Sequence, residues 1–253
     1  MTTYRDGRAW RAGPHVVYQR FAATALDALP RPFAGLRAVD VGAGTGAIGE
    51  ELVARGASVI STDLAHTMLL QAPAPRVVSD ARALGLRDRC VDLATAGFLL
   101  SHVEDPASAL AEIVRLVRPG GLVLATGYPT GAVHPVKQAV DTVLASFGYR
   151  PPEWYLRLKA TGEARVGDPV ALLSVAGEGR LVDPRVQELT APLTGLRTEA
   201  VVAWRLGMAQ VAGFMADLPA GDRDRLTAQA NAAVSRVGTD QPVRLLLLAG
   251  NVS

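Results

Sequence analysis

Val39-Asp40-Val41-Gly42-Ala43-Gly44-Thr45-Gly46 is an apolar run that stops at three glycines set two apart. Residues 36–41 read as a short buried strand, and Ile48, Leu52 and Val53 continue at helical spacing. The glycines therefore make a strand-to-helix turn. Glycine there permits positive φ and lets a ligand approach the backbone, while the N–H groups that open the helix favour polar or anionic groups. That combination predicts a nucleotide-type pocket at the carboxyl end of a strand. Two registers are available. Gly44-x-Gly46-x-x-Gly49 would satisfy the dinucleotide fingerprint, but it puts Gly49 inside the helix and leaves Gly42 without a role, so the stronger register starts at Gly42.

Outward from this turn, strands and helices alternate. A second strand over 57–61 ends in Thr62-Asp63, and Asp63 lies roughly 20 residues past the first glycine, where a carboxylate can accept hydrogen bonds from both ribose hydroxyls. A third strand, 76–78, runs into Ser79-Asp80-Ala81, and a fourth, 90–96, into Gly97 and Phe98. Asp105 and Pro106 start a helix whose buried stripe is Ala109, Leu110, Ile113, Val114 and Val117; Arg118-Pro119-Gly120-Gly121 stops it before a fifth strand over 122–126. Residues 182–189 read as a sixth strand and 243–248 as the last. The fold expected is α/β, a doubly wound Rossmann-like sheet with helices on both faces.

The chain has 253 residues, 49% of them hydrophobic, enough for one α/β domain with a small appendage. A net charge of +2 with no dense basic run gives no electrostatic case for nucleic acid. The lone cysteine, Cys90, forms no internal disulfide and no cysteine metal cluster. No His-Glu-x-x-His or Gly-x-Ser-x-Gly string occurs, which removes the metal-hydrolase and serine-hydrolase readings and predicts no metal. The start carries no secretory pattern and no apolar run reaches membrane-spanning length, so a cytoplasmic protein without a membrane partner is expected.

Asp40 to Gly46 resembles the first motif of class I S-adenosylmethionine-dependent methyltransferases. Leu99-Leu100-Ser101-His102-Val103-Glu104-Asp105-Pro106, with Glu112 to Gly121, resembles the later motifs of their small-molecule members, the methyltransferase type 11 group related to ubiquinone and menaquinone biosynthesis. The ordered motifs cover 39–127, and beyond Thr126 the resemblance thins. It implies S-adenosylmethionine held by Asp40, Gly42, Ala43, Gly44 and Gly46, with Asp63 on the ribose and Leu64 and Met68 beside the adenine. Asp80, with Ala81, would meet the adenine amino group; Ala96, Gly97 and Phe98 would face the sulfonium. It also implies seven strands with the last one antiparallel. Residues 1–34, rich in aromatics (Tyr4, Trp10, Tyr18, Phe21) and with a helix ending near Pro30, would be a lid, Tyr18 reaching the methionine part. The cofactor-binding core would be 35–130 and 181–253, and 131–180 a helical cap over the acceptor.

Methyl transfer from a sulfonium requires two reactants held in line and water kept out, and no covalent nucleophile. A hydroxyl acceptor gains from a base of near-neutral pKa, which points to the histidines after the fourth and fifth strands, His102 and His134, ahead of His15 and His66. No Asn-Pro-Pro-aromatic string follows the fourth strand; Ala96-Gly97-Phe98-Leu99 stands there, which favours a small-molecule acceptor over a nucleic acid. The expected function is O-methylation of a small, fairly apolar metabolite in secondary metabolism. The other readings are a non-methylating reaction on the same fold, such as cyclisation, and methylation of RNA or protein. A homodimer is compatible with the sequence.

Overall fold

A computed structural model describes residues 6–29 and 31–253; Tyr4 and the expected helix end at Pro30 lie outside the described residues. Two helices lead, α1 (Gly7–Ala12) and α2 (Pro14–Asp27), followed by β1 (Arg37–Val41), α3 (Ala47–Ala54), β2 (Ser58–Asp63), α4 (His66–Leu69), β3 (Arg76–Val78) and β4 (Val91–Gly97). After a one-turn 3-10 helix at Leu100–His102 come α5 (Pro106–Leu116), β5 (Val117–Gly127), α6 (Pro135–Ser146), α7 (Glu153–Arg157), a π turn (Leu158–Gly162), α8 (Glu163–Val166) and α9 (Pro169–Glu178). The chain ends with β6 (Val182–Ala191), α10 (Thr198–Leu206), α11 (Ala209–Asp217), α12 (Ala220–Val237) and β7 (Val243–Asn251).

The seven strands lie in the order β3-β2-β1-β4-β5-β7-β6. β1 to β5 are parallel, and β7 is antiparallel to both of its neighbours. The alternation of elements predicted the doubly wound sheet, and the resemblance its antiparallel last strand. Strand residues alternate between two cores, as a pleat of period two requires. Val39, Val41, Ala94, Ala96, Val123 and Ala125 point to the side covered by Leu110, Ile113 and Leu116 of α5 and Leu172 and Val175 of α9. Ala38, Leu93, Leu122 and Leu124 point the other way, onto Leu26 of α2 and Leu52 of α3. A third cluster joins α6, α10 and α12 around Trp204 and takes in Val17 and Phe21 of α2.

The boundary between α5 and β5 differs from the sequence reading. Val117 is the first residue of β5, paired with Val91, and the Arg118-Pro119-Gly120-Gly121 stretch already belongs to that strand. Gly121 permits this, because a Cβ there would sit 2.8 Å from the Asp92 carbonyl oxygen. Within 131–180, α6 packs on α12 and α10, and α9 on α5. Residues 158–166 lie against the turn at 100–102, where Gly162 comes so close that a Cβ would collide with the Ser101 carbonyl oxygen.

Candidate functional site

The glycine turn is built as its spacing requires. Gly42, Gly44 and Gly46 have φ of 67°, 56° and 87°, and the last opens α3. Gly49 is an ordinary helical residue whose N–H donates to Asp40 Oδ2 at 3.2 Å, so the register that begins at Gly42 is the structural one. Asp40 lies under the turn, with Oδ1 accepting from Thr95 Oγ1 at 2.8 Å; burial pushes its carboxyl up to about 7. Asp63, at the end of β2, accepts from the Gly44 N–H through Oδ2 and from the Ala65 N–H through Oδ1, both at 2.7 Å. Burial raises its pKa and those backbone bonds oppose the rise.

A cavity of about 340 Å³ opens over the turn at the carboxyl ends of β1, β2 and β4. Tyr18, Asp40, Gly42, Ala43, Gly44, Asp63, Leu64, Met68, Asp80, Ala81, Gly97, Phe98 and His102 all line it. Three expected residues stand elsewhere. Gly46 is behind the turn against Ala72 and Pro73, and Ala96 points into the core under α5. His134 precedes α6, is buried in the third cluster, approaches the Gln241 carbonyl oxygen at 3.1 Å through Nε2, and faces the Trp204 ring 6.4 Å away. His134 therefore has no contact with the cavity. Asp80 does line it, but its carboxylate is gripped by Arg82 at 2.7 and 3.1 Å, which holds its pKa down at about 2. The His102 ring is open to the cavity but walled by protein, and burial pushes it down to about 4, so it is neutral at pH 7.

Several lining residues escaped the sequence reading. Thr126, at the end of β5, presents a buried Oγ1 with no hydrogen-bond partner among the described residues. Trp10, Thr45, Ile48, Leu99 and Val103 complete much of the wall. The leader is tied to the glycine turn through side chains: His15 Nδ1 lies 2.7 Å from Thr45 Oγ1, and its Nε2 3.0 Å from Glu50 Oε2. Gln19 and Arg11 bond the same glutamate. Burial first, then the Arg11 charge, lowers the His15 pKa. The only local signal was the crowding of aromatic and polar side chains ahead of the first strand. Trp10 and Tyr18 are 5.6 Å apart, Tyr18 and Phe98 5.0 Å, and Phe98 and Tyr128 4.7 Å, so the leader adds an aromatic wall to the cavity.

Residues 39–125 match a family described as a methyltransferase domain. The demethylmenaquinone methyltransferase of Renibacterium salmoninarum is 36% identical over 120 residues, 45% of this chain and 49% of that protein. The chain thus spans about half the length of the curated relatives it matches. Among solved structures, the phosphoethanolamine N-methyltransferase 2 of Haemonchus contortus in complex with S-adenosyl-L-methionine superposes with a TM-score of 0.57 at 18% identity, over 92% of this chain and 52% of that one. The cyclase SpnF superposes with a TM-score of 0.52 at 16% identity, over 92% and 81%. At such identities the structural likeness speaks for the fold. The domain match and the curated relatives support a class I S-adenosylmethionine-dependent methyltransferase domain over residues 39–125, and the solved structures share its fold.

Proposed function

We propose that this chain transfers the methyl group of S-adenosylmethionine to a small, largely apolar acceptor. The observation that carries the reading is the opening of the glycine turn onto the cavity beside a buried carboxylate. A Cβ on Gly44 would meet only the Met68 methyl, at 3.8 Å, so the backbone is bare where a nucleotide would rest. Asp63 has both oxygens fixed by backbone N–H groups, with lone pairs left for a pair of ribose hydroxyls. Met68 and Leu64 offer apolar surface to a base, and the faces of Tyr18, Trp10 and Phe98 suit a sulfonium cation. The Thr126 hydroxyl, without a partner among the described residues, supplies one more polar group.

When bound, the cofactor supplies an activated methyl group. The protein's part is to orient it, exclude water and accept a proton where the acceptor loses one. His102 is the histidine that lines the cavity, and its imidazole is neutral at pH 7. With an acceptor in hand, His102→Ala should lower turnover about 100-fold while S-adenosylhomocysteine affinity holds. Turnover equal to wild type would remove His102 from the chemistry. The leader closes one side of the cavity as a lid, and the helical segment 131–180 serves as the cap over the acceptor. Oxygen is the proposed methyl-accepting atom and secondary metabolism the proposed setting. Demethylmenaquinone, named for the Renibacterium relative, is a first acceptor to screen.

The deciding test is calorimetric titration of S-adenosylhomocysteine into the wild type and into Asp63→Ala. Loss of the ribose partner should weaken binding by about 1–3 kcal/mol. If NAD bound to the wild type and S-adenosylhomocysteine did not, the reading would fall.

A further inference from the structure

The chain has 26 basic residues, and only Lys137 and Lys159 among them are lysines. The two are treated very differently. Lys159 is held by Glu163 at 2.8 and 2.9 Å. Among the described residues Lys137 has no hydrogen bond and no ion pair; its Nζ rests 4.0 Å from the centre of the Tyr128 ring and 4.7 Å from that of Trp204.

The charged groups that bear on Lys137 are Arg205, Lys159, Glu163 and Asp141. Arg205 occupies both oxygens of Asp141 at 2.7 and 3.0 Å, and Lys159 occupies Glu163. Three cations therefore share two carboxylates, and the charge left unmatched is at Lys137. A cation drawn partly out of water without a counter-charge is costly unless something supplies one. Burial, reinforced by Arg205, draws this amine down to about 7, so both of its protonation states are at hand. Lys137 is in the first turn of α6, above the carboxyl end of β5. The Tyr128 ring beneath it packs 4.7 Å from Phe98, and the Tyr128 hydroxyl donates to that of Tyr18 at 3.4 Å. Phe98 and Tyr18 both line the cavity, so one aromatic layer separates the amine from it.

We propose that Lys137 selects the acceptor: its amine receives an acidic oxygen carried on an apolar aromatic molecule seated among these rings. The inference deepens the methyl-transfer reading and rests on it. A carboxylate or phenolate pairs with the ammonium directly. A neutral phenol passes its O–H proton to the uncharged amine, leaving an ammonium beside an oxyanion, and no other reactant is needed. Arginine could not serve in this second case, because it does not give up its proton.

The probes are 2-naphthoate, 2-naphthol and 2-methoxynaphthalene, titrated into the full chain with and without S-adenosylhomocysteine. The first two should bind at least about tenfold more tightly than the third. Lys137→Met should bring all three to similar affinity, and Lys137→Arg should restore the preference for 2-naphthoate alone. Equal binding in the wild type, no binding of any probe, or a preference that survives Lys137→Met overturns the proposal. A readout on the wild type avoids dependence on the variants: 2-naphthoate should slow acetylation of Lys137 by acetic anhydride and leave Lys159 unaffected, and equal rates at Lys137 overturn the proposal. S-adenosylhomocysteine binding reports on the methyl-transfer reading separately. Its retention alongside a lost naphthyl preference would sink only the role given to Lys137.

Discussion

Gly46→Ala should destabilise the protein by about 2–5 kcal/mol, combining left-handed backbone strain with forced displacement of packed atoms. At Gly46 φ is 87°, and an added Cβ would sit 2.4 Å from Pro73 Cδ and 2.8 Å from Ala72 Cα. Neither neighbour is the tip of a flexible side chain, so the β1–α3 turn or the 72–73 segment must move. For a chain of this size the melting temperature should fall by roughly 5–15 °C. Gly131→Ala is the control. Its φ is 70° but nothing lies within 4 Å of the added carbon, so only the strain of about 1–2 kcal/mol remains. Equal losses for the two variants would show that close packing at Gly46 contributes nothing.

The second large effect is on pH dependence. Asp40 has an ordinary carboxyl value of 3.8 and is raised by burial to about 7 in the fold. The native state therefore holds this proton more tightly than the unfolded chain does. Stability contributed by the protonated form is complete below about pH 4 and drains away as pH rises toward 7. Asp40→Asn keeps the geometry: the amide oxygen can accept from the Gly49 N–H, and the amide nitrogen can donate to Thr95 Oγ1, whose own hydrogen then turns to the Val39 carbonyl 3.5 Å away. The variant should match wild type near pH 4 and exceed it by about 2–4 kcal/mol at pH 8. Urea unfolding at pH 4, 6 and 8 measures the difference; a constant offset between the two proteins would mean that Asp40 does not titrate in the fold.

The parts of the fold that could be read from sequence are those whose cause is local. An apolar run ending in spaced glycines fixes β1, the turn and α3 together, because only a left-handed residue at Gly42, Gly44 and Gly46 lets the chain turn so sharply. Asp63 was legible for the same reason, being one strand further along a repeating unit. The limits were just as physical. Nothing near Asp80 distinguishes a carboxylate free to meet a ligand from one gripped by Arg82 two residues on. His134 follows a strand at the crevice, as a catalytic histidine would, yet Gln241 and Trp204, far along the chain, decide where its ring goes. The His15, Thr45 and Glu50 network joins residues at least 30 positions apart, and no local pattern encodes such a meeting. Lys137 was overlooked because its meaning lies in what its neighbours already bind.

The antiparallel last strand has a consequence for the order in which the molecule can be assembled during synthesis. β6 bonds only to β7, and β7 alone joins it to β5. The strands that frame the glycine turn and the Asp63 carboxylate can pair as soon as β5 has left the ribosome. β6 emerges well before its sole neighbour, and α10, α11 and α12 are made while it waits. Contacts of such long sequence separation form late and leave strand edges exposed meanwhile. Placing residues 243–251 between the two makes the synthesis of β7 the step that turns a five-stranded nascent chain into the seven-stranded sheet.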